Sequence, residues 1–337
     1  MNKLLITGGA GFIGRTLVER LLRGGTWISV IDSAKEAWSF RNLQELRTMP
    51  KIQVCQADIR HRETVSKILN EFGPDGVIHL AAESHVDKSI ADPELFLESN
   101  VRGTWSLLES VYKYWNEINR PDSFRFHYCS TDEVYGSLDD GSFLETMPLH
   151  PNNPYSATKA AGEHLTTAWL KTHGLPVLIT RCSNNYGPYQ GPDKFVPLTI
   201  GRCLRQEPVL IHGTGQNIRD WIHVTDHVRG LMEVFRHGTV GEAYNIGGGV
   251  DSERANWELA QTICDLCDEL THRSPGTSRQ LLTFVTDRPG NDLRYSMNID
   301  KLQRISTWKP EIALKTGLRE TIKWYTDHKD YCERIVG

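Results

Sequence analysis

The run Gly8-Gly9-Ala10-Gly11-Phe12-Ile13-Gly14 lies between an apolar stretch, Lys3-Leu4-Leu5-Ile6-Thr7, and a helical pattern, Arg15 to Arg23, that stops at Gly24-Gly25. Strand, glycine turn and helix in that order leave few folds open. The spacing Gly8-x-x-Gly11-x-x-Gly14 is a variant of a dinucleotide-binding turn. In such a turn Gly8 permits the tight bend, Gly11 lets backbone approach a pyrophosphate, and Gly14 lets the helix pack on the strand. The helix N-terminus then faces the phosphates, with Phe12 and Ile13 as further cofactor contacts. A glycine pattern alone carries little, so the strands that follow decide.

Trp27-Ile28-Ser29-Val30-Ile31-Asp32 reads as a second strand, and it ends in an acid 18 residues after Gly14. An acid there accepts hydrogen bonds from an adenosine ribose and repels a 2′-phosphate, which favours NAD over NADP. A turn or cap role is the competing reading of Asp32. Ser33 and Lys35 follow it, and Lys35 softens the preference. Ile52 to Ala57 is a third strand, leading into Asp58-Ile59 as a wall for adenine. Val77 to Ala82 is a fourth, with Leu80, Ala81 and Ala82 beside the cofactor crevice. Phe124 to Cys129 is another. Strands alternating with helices imply a right-handed α/β fold, a Rossmann-type doubly wound, mostly parallel sheet. Ligands in such sheets sit at the carboxyl ends of the strands. Gly8 to Gly14, Asp32, Asp58, Ala81 to Ser84 and Ser130 to Glu133 all converge on that edge. The expected division is a cofactor domain over 1–180 and a smaller α/β substrate domain over 181–337, with about 215–246 returning to the first.

A net charge of −4 over 337 residues gives no reason to expect nucleic acid or an anionic membrane. The seven cysteines are scattered and odd in number, as in a reducing compartment. Cys264-x-x-Cys267 lies in a helical pattern without a second pair or histidines, so no metal is expected. Leu4-Leu5-Ile6 is too short for a signal peptide, and no apolar run is long enough to span a membrane. A cytoplasmic protein is the expectation. Two long helices are predicted, Glu94 to Trp115 and Tyr155 to Leu170. Val101, Leu107, Leu108, Val111 and Trp115 share a stripe on the first, and the aromatic and aliphatic faces of the two helices exceed what one sheet face covers, which suggests a homodimer through both.

Chemistry enters at Ser130-Thr131-Asp132-Glu133-Val134-Tyr135-Gly136 and at Tyr155 and Lys159. Tyr155 and Lys159 are one helical turn apart and share a face. A nearby ammonium lowers a tyrosine pKa, and Thr131 can share the same substrate hydroxyl. Together they can strip a proton from an alcohol while hydride leaves its carbon. Tyr-x-x-x-Lys as mere packing is the alternative. Just past a strand end, Asp132 and Glu133 can both face the crevice. Two carboxyls with separated pKa values serve as one acid and one base, which an elimination of water needs and an alcohol oxidation does not. The carbon-bound proton becomes acidic only beside a ketone, so oxidation must come first. Ser84 is better placed than His85 to touch a substrate.

These features, with His79 to Asp87, Asn153-Pro154-Tyr155-Ser156-Ala157-Thr158-Lys159 and Arg181 to Pro188, resemble the extended short-chain dehydrogenase/reductase family of nucleotide-sugar enzymes, and within it the 4,6-dehydratases. The resemblance runs to about Tyr325. It implies that Tyr155, Thr131 and Lys159 serve C4 oxidation by a tightly held NAD, that Glu133 removes the C5 proton, and that Asp132 protonates the departing C6 hydroxyl before hydride returns to C6. It also implies cofactor contacts at Ser84, Ser99 and Asn185. Substrate contacts are implied at Ser84, Thr131, Asn184, Lys194, Phe195, Leu210, His212, Arg219, Asn256, Asp287, Arg288 and Asn291. The expected substrate is dTDP-glucose, with UDP-glucose or another nucleotide-hexose as the alternative. The related 4-epimerases lack both acids, and the decarboxylases keep only the glutamate. Three positions depart from the family pattern, all expected near the nucleotide end: Gly191 for a bulky apolar residue, Asn291 for a histidine, and Leu293 for an arginine. Asp327 to Gly337 is expected to be a loosely held tail.

Overall fold

The computed structural model describes residues 2–329 and Tyr331. Twelve strands are present among them: β1 (Lys3–Thr7), β2 (Trp27–Asp32), β3 (Ile52–Gln56), β4 (Gly76–His79), β5 (Arg125–Thr131), β6 (Val177–Cys182), β7 (Asn184–Tyr186), β8 (Val209–His212), β9 (Ile218–His223), β10 (Ala243–Ile246), β11 (Glu253–Ala255) and β12 (Leu282–Val285). The helices are α1 (Phe12–Arg23), α2 (Ala37–Leu46), α3 (Arg62–Phe72), α4 (Val86–Ala91), α5 (Pro93–Phe96), α6 (Gly103–Glu117), α7 (Pro154–His173), α8 (Phe195–Arg205), α9 (Val224–His237), α10 (Asn256–Leu270), α11 (Asp300–Ile305) and α12 (Leu314–Asp327).

Seven strands form one sheet in the order β10-β6-β5-β4-β1-β2-β3. Every neighbouring pair in it is parallel. Parallel strands are buried on both faces, so they read as continuous apolar runs. In β1, Leu4 and Ile6 enter the core beneath α1 and α9, while Leu5 enters the core beneath α3 and α6. Burying each such side chain stabilises by about 1.5–3 kcal/mol. The register sets Thr7 beside Ile31 and His79, and Thr131 beside Cys182, which aligns the carboxyl ends of the strands along one edge. A second unit carries β11-β9-β7 and β12-β8. Its own core, with Val196, Ile200, Leu259, Ile263 and Leu318, joins α8, α10 and α12.

Differences from the expected elements have local causes. Helix α1 starts at Phe12, because Gly11 is its N-cap. Gly8 has φ +73°, and a Cβ there would meet the Ala81 nitrogen at 2.6 Å. A Cβ on Gly14 would lie 2.0 Å from the Gly8 carbonyl oxygen, so only glycine fits either place. Strand β4 ends at His79, leaving Leu80 to Ser84 as a loop. The expected helix from Glu94 to Trp115 is interrupted by a wide π-turn over Leu97–Arg102. Such turns are frequent at functional sites. This one directs the buried Asn100 at Glu83, whose backbone N–H and carbonyl it bonds at 2.8 and 3.0 Å, and at Thr158, at 3.0 Å.

Leu107, Leu108, Val111 and Trp115 are buried against the sheet. That stripe is therefore consumed within the chain and does not form an outer face. Cys264 and Cys267 are buried on α10, with the Cys203 sulfur 3.7 Å from that of Cys264. Among the described residues no cluster can hold a metal ion, and no helix is long and apolar enough to cross a membrane. The expected loose tail starts with the last residue of α12. Tyr331 within it is buried and bonded to the Tyr189 carbonyl at 3.0 Å, while 330 and 332–337 lie outside the described residues.

Candidate active site

Strand β5 ends at Thr131, where the chain turns into a single 3-10 turn, Asp132–Tyr135. Thr131 caps that turn, its Oγ1 accepting the Glu133 N–H at 3.3 Å, and its hydroxyl donates to Asp132 Oδ1 at 3.1 Å. The turn breaks the alternation of a strand, so both acids stand within reach of one cation, Arg219. The other Asp132 oxygen, Oδ2, is buried without a partner. Burial, then the charges of Glu133 and Asp220, pushes the Asp132 carboxyl well above its usual range. Glu133 is also raised by burial, but a hydrogen bond from Asn153 and the charges of Arg288, Arg219 and Lys194 pull it back. Both carboxyls are raised, Asp132 the further, and more cations act on Glu133. That difference in degree makes Asp132 the acid of the pair and Glu133 the one that ionises first.

Tyr155 sits in the first turn of α7, behind Pro154 at the helix start. Asn153 is the N-cap, in a reciprocal capping box with Ser156. Its Nδ2 donates to Glu133 Oε2 at 3.2 Å. Tyr155 is buried, and its N–H donates to Ser89 Oγ at 3.2 Å. Burial and then the Glu133 charge hold its phenol well above the ordinary value, with the Thr131 hydrogen bond acting the other way. The expected lowering by Lys159 is absent from these dominant influences. Burial of Tyr155 outweighs it, and Lys159 is itself desolvated, to a pKa of about 8. Its Nζ donates to the Cys129 carbonyl at 2.6 Å and lies 4.4 Å from the centre of the Tyr128 ring.

A cavity of about 620 Å³ opens beside this pair, along the carboxyl edge of the sheet. Its walls carry Gly8, Gly11, Phe12, Ile13 and Gly14 of the glycine turn, Asp32, Ser33 and Lys35 after β2, and Asp58 and Ile59 after β3. Leu80, Ala81, Ala82 and Ser84 after β4, Ser99 on the π-turn, Tyr155 and Lys159 complete that side. Asp32 Oδ2 accepts the Ala10 N–H at 2.9 Å and Oδ1 that of Ala34 at 2.8 Å, which fixes the carboxylate against the turn. The buried Ser130 Oγ, Gln190 Oε1 and His227 Nε2 have no partner among the described residues, and all three residues line the cavity. A dinucleotide fits this wall: a side-chain-free turn at a helix N-terminus for the pyrophosphate, an acid for the ribose, and polar atoms in want of partners.

Asn185 lies one layer behind, bonded through Oδ1 to His227 Nδ1 at 2.9 Å. His227, Gln190 and Trp38 line the cavity and had no signal in the sequence. His85 caps α4 and faces Asp193 at 3.5 Å, a local bonding role.

The expected substrate residues divide. Lys194 lines the cavity and donates to the Ser84 carbonyl at 2.6 Å. Arg219 is buried over the Tyr295 ring, 4.2 Å from its centre, and bonds Asn291 Oδ1 at 3.1 Å. Arg288 bonds the same oxygen at 3.3 Å, and Asn291 donates to Asp287 at 2.8 Å. These groups gather on the Glu133 side. Asn184 keeps a buried, unpartnered Oδ1. Phe195, Leu210, His212 and Asn256 are off the cavity wall. Phe195 packs near Trp221, Leu210 and His212 point outward from β8, and Asn256 begins α10. Of the three departures, Asn291 lies with Arg219, and the Leu293 side chain is exposed. Gly191 instead borders the cofactor cavity beside Trp38.

Known proteins agree with this geometry. The sequence model of the GDP-mannose 4,6 dehydratase family matches residues 5–321. A dTDP-glucose 4,6-dehydratase of Neisseria meningitidis serogroup B is 44% identical, over 100% of this chain and 96% of that protein. The crystal structure of DesIV, a dTDP-glucose 4,6-dehydratase from Streptomyces venezuelae solved with NAD, superposes with a TM-score of 0.87 at 38% identity, covering 98% of this chain and 99% of that one. A UDP-glucuronic acid 4-epimerase from Bacillus cereus superposes at 0.85 with 27% identity, covering 97% and 99%. The shared sheet thus extends to epimerases, and the chain belongs to the family of nucleotide-sugar 4,6-dehydratases.

Proposed function

We propose that the protein is an NAD-dependent dTDP-glucose 4,6-dehydratase that forms dTDP-4-keto-6-deoxyglucose and water. The observation that carries this is the carboxyl pair Asp132 and Glu133 directly after Thr131, both raised by burial but Glu133 pulled back by Asn153 and three cations. NAD, when bound, accepts the hydride of sugar C4 and later returns it to C6. Tyr155 takes the O4 proton. A phenol held above its ordinary pKa is a strong base once ionised, and the Thr131 hydrogen bond steadies the phenolate. Lys159 keeps a positive charge under this face, anchored on the Cys129 carbonyl. Glu133 then removes the C5 proton, which the C4 ketone has made acidic. Asp132, holding its proton, delivers it to the C6 hydroxyl as water leaves. Return of a proton to C5 restores Glu133, and the proton taken from O4 by Tyr155 balances the one that Asp132 gives up in water.

The basic groups Lys194, Arg219 and Arg288 favour a diphosphate next to this pair. Asn184, Ser84, Phe195, Leu210, His212, Asn256, Asp287 and Asn291 are assigned to the sugar nucleotide around it. The same reading divides the chain into a cofactor part, 1–180 with about 215–246, and a substrate part made of the rest. β10, the edge strand of the large sheet, and α9, which packs on it, support that division, whereas β9 pairs with β7 and β11 in the second unit. It also includes a cytoplasmic homodimer contacting through α6 and α7, where Trp105, Leu165 and Trp169 remain partly exposed. A monomeric mass by light scattering contradicts the dimer.

Purified protein is offered dTDP-glucose, UDP-glucose and GDP-mannose without added NAD, and products are weighed by mass spectrometry. Loss of one water from dTDP-glucose is expected. Water loss only from another sugar nucleotide contradicts the base assignment, and loss from none contradicts the dehydratase.

A further inference from the structure

Three loops meet at the mouth of the cofactor cavity. The first follows β2 and leads into α2, the second follows β4, and the third is the 190–194 turn before α8. Polar contacts lace them together. Lys88 reaches Glu36 at 3.0 Å, Lys35 reaches Glu83 at 4.0 Å, His85 faces Asp193 at 3.5 Å, and Lys194 bonds the Ser84 carbonyl. The lysine pairs are about half exposed, and exposed pairs hold loops weakly.

One contact among these loops is of a different kind. Trp38, on the first turn of α2, lines the cavity and packs against the core of the second unit. Its indole lies against Gly191. A Cβ built on Gly191 would sit 3.2 and 3.3 Å from two indole carbons and 2.8 Å from Asp193 Oδ1. Gly191 does not have a positive φ, so backbone conformation does not call for glycine there. The space taken by the Asp193 carboxylate and the indole does. The Gly191 carbonyl accepts the Lys194 N–H at 3.0 Å, which closes the turn that carries Lys194. The indole is thus the apolar bridge from the ribose side of the cavity to the turn at its opposite side.

We propose that Trp38 is a cofactor-retaining residue: its indole, seated on the bare backbone of Gly191, holds the 190–194 turn closed over the dinucleotide and keeps it bound between turnovers. This rests on the reading of the cavity as the NAD site. Opening the mouth separates the indole from Gly191 and exposes both, and truncating so large an apolar contact speeds release by about tenfold or more.

The test loads wild type and variants with NAD, removes free dinucleotide by gel filtration, and follows release by displacement with excess fluorescent etheno-NAD. Trp38→Ala is expected to release about tenfold faster or more than wild type, and Trp38→Phe to fall between them. Gly191→Ala is expected to speed release more in the wild-type background, where it crowds the indole, than in Trp38→Ala, where only the Asp193 contact remains. Circular dichroism checks folding, and Trp38→Leu replaces the alanine variant if that one does not fold. Release from Trp38→Ala, or its leucine substitute, at the wild-type rate overturns the proposal. So does an equal effect of Gly191→Ala in both backgrounds. A wild type that takes up no dinucleotide overturns the cofactor reading and this inference with it.

Discussion

The Asn153 side chain joins the start of α7 to the elimination base. Its Oδ1 accepts the Ser156 N–H at 2.9 Å while its Nδ2 donates to Glu133 Oε2 at 3.2 Å. The helix that carries Tyr155 and Lys159 is thereby registered against the acid pair by one amide. Redox and elimination groups keep a fixed separation through it.

Replacing Asn153 separates its two roles. Asn153→Ala loses about 1 kcal/mol through the cap, seen as a lower melting temperature. Asn153→Ser restores the cap but not the Glu133 contact. Both variants lose a hydrogen bond that lowers the Glu133 pKa. Ionised Glu133 is then reached only at higher pH, so the acid limb of the kcat profile moves to higher pH in both. An unmoved limb contradicts the role of Asn153.

Lys159 sets stability against function. Its folded pKa is about 8 because of burial, below its unfolded value of about 10.4. Below pH 8 both states carry the proton, and the folded state bears the full desolvation cost. Between the two values the unfolded state binds more protons, so stability rises with pH. Lys159→Met is therefore expected to stabilise NAD-free protein by about 1–3 kcal/mol at pH 7. The gain shrinks as pH rises above 8, in urea melts taken across pH 6 to 10. The same variant loses C4 oxidation. A gain that grows with pH contradicts the assignment.

Arg219 presents a planar group stacked on Tyr295, with Nη2 bonded to Asn291 Oδ1 and the Asp292 carbonyl. A lysine reproduces the charge but not the fork or the stacking. Arg219→Lys is expected to raise KM for dTDP-glucose by about tenfold, the worth of about 1.4 kcal/mol, with a smaller change in kcat. A fall in kcat at constant KM places Arg219 in the chemistry instead.

Much of this site is legible from local pattern. The glycine turn, Asp32 and the Tyr155–Lys159 pair each sit on an element whose periodicity the sequence displays. Asp132 and Glu133 are legible as a pair, and the turn that carries both follows from the end of β5. Asn153 stands before Pro154 as a cap, which the sequence shows, but its second bond to Glu133 spans 20 residues and leaves no periodic trace. His227, Trp38 and Tyr331 reach the cavity from α9, α2 and the chain's end. Their places depend on how the two units pack. The π-turn at Leu97–Arg102 was hidden because its apolar spacing still resembles an ordinary helix. The expected lowering of Tyr155 by Lys159 failed for a related reason: spacing shows proximity, whereas desolvation depends on the whole fold.

The division of labour between Thr131–Tyr155 and Asp132–Glu133 is most directly tested by mixing Glu133→Gln holoenzyme with dTDP-glucose. The absorbance of reduced nicotinamide and the mass of the sugar nucleotide are then followed together. Reduced cofactor is expected to accumulate while no water is lost, and Asp132→Asn to behave likewise. Tyr155→Phe should form neither reduced cofactor nor product. Water loss at the wild-type rate in Glu133→Gln contradicts that division of labour.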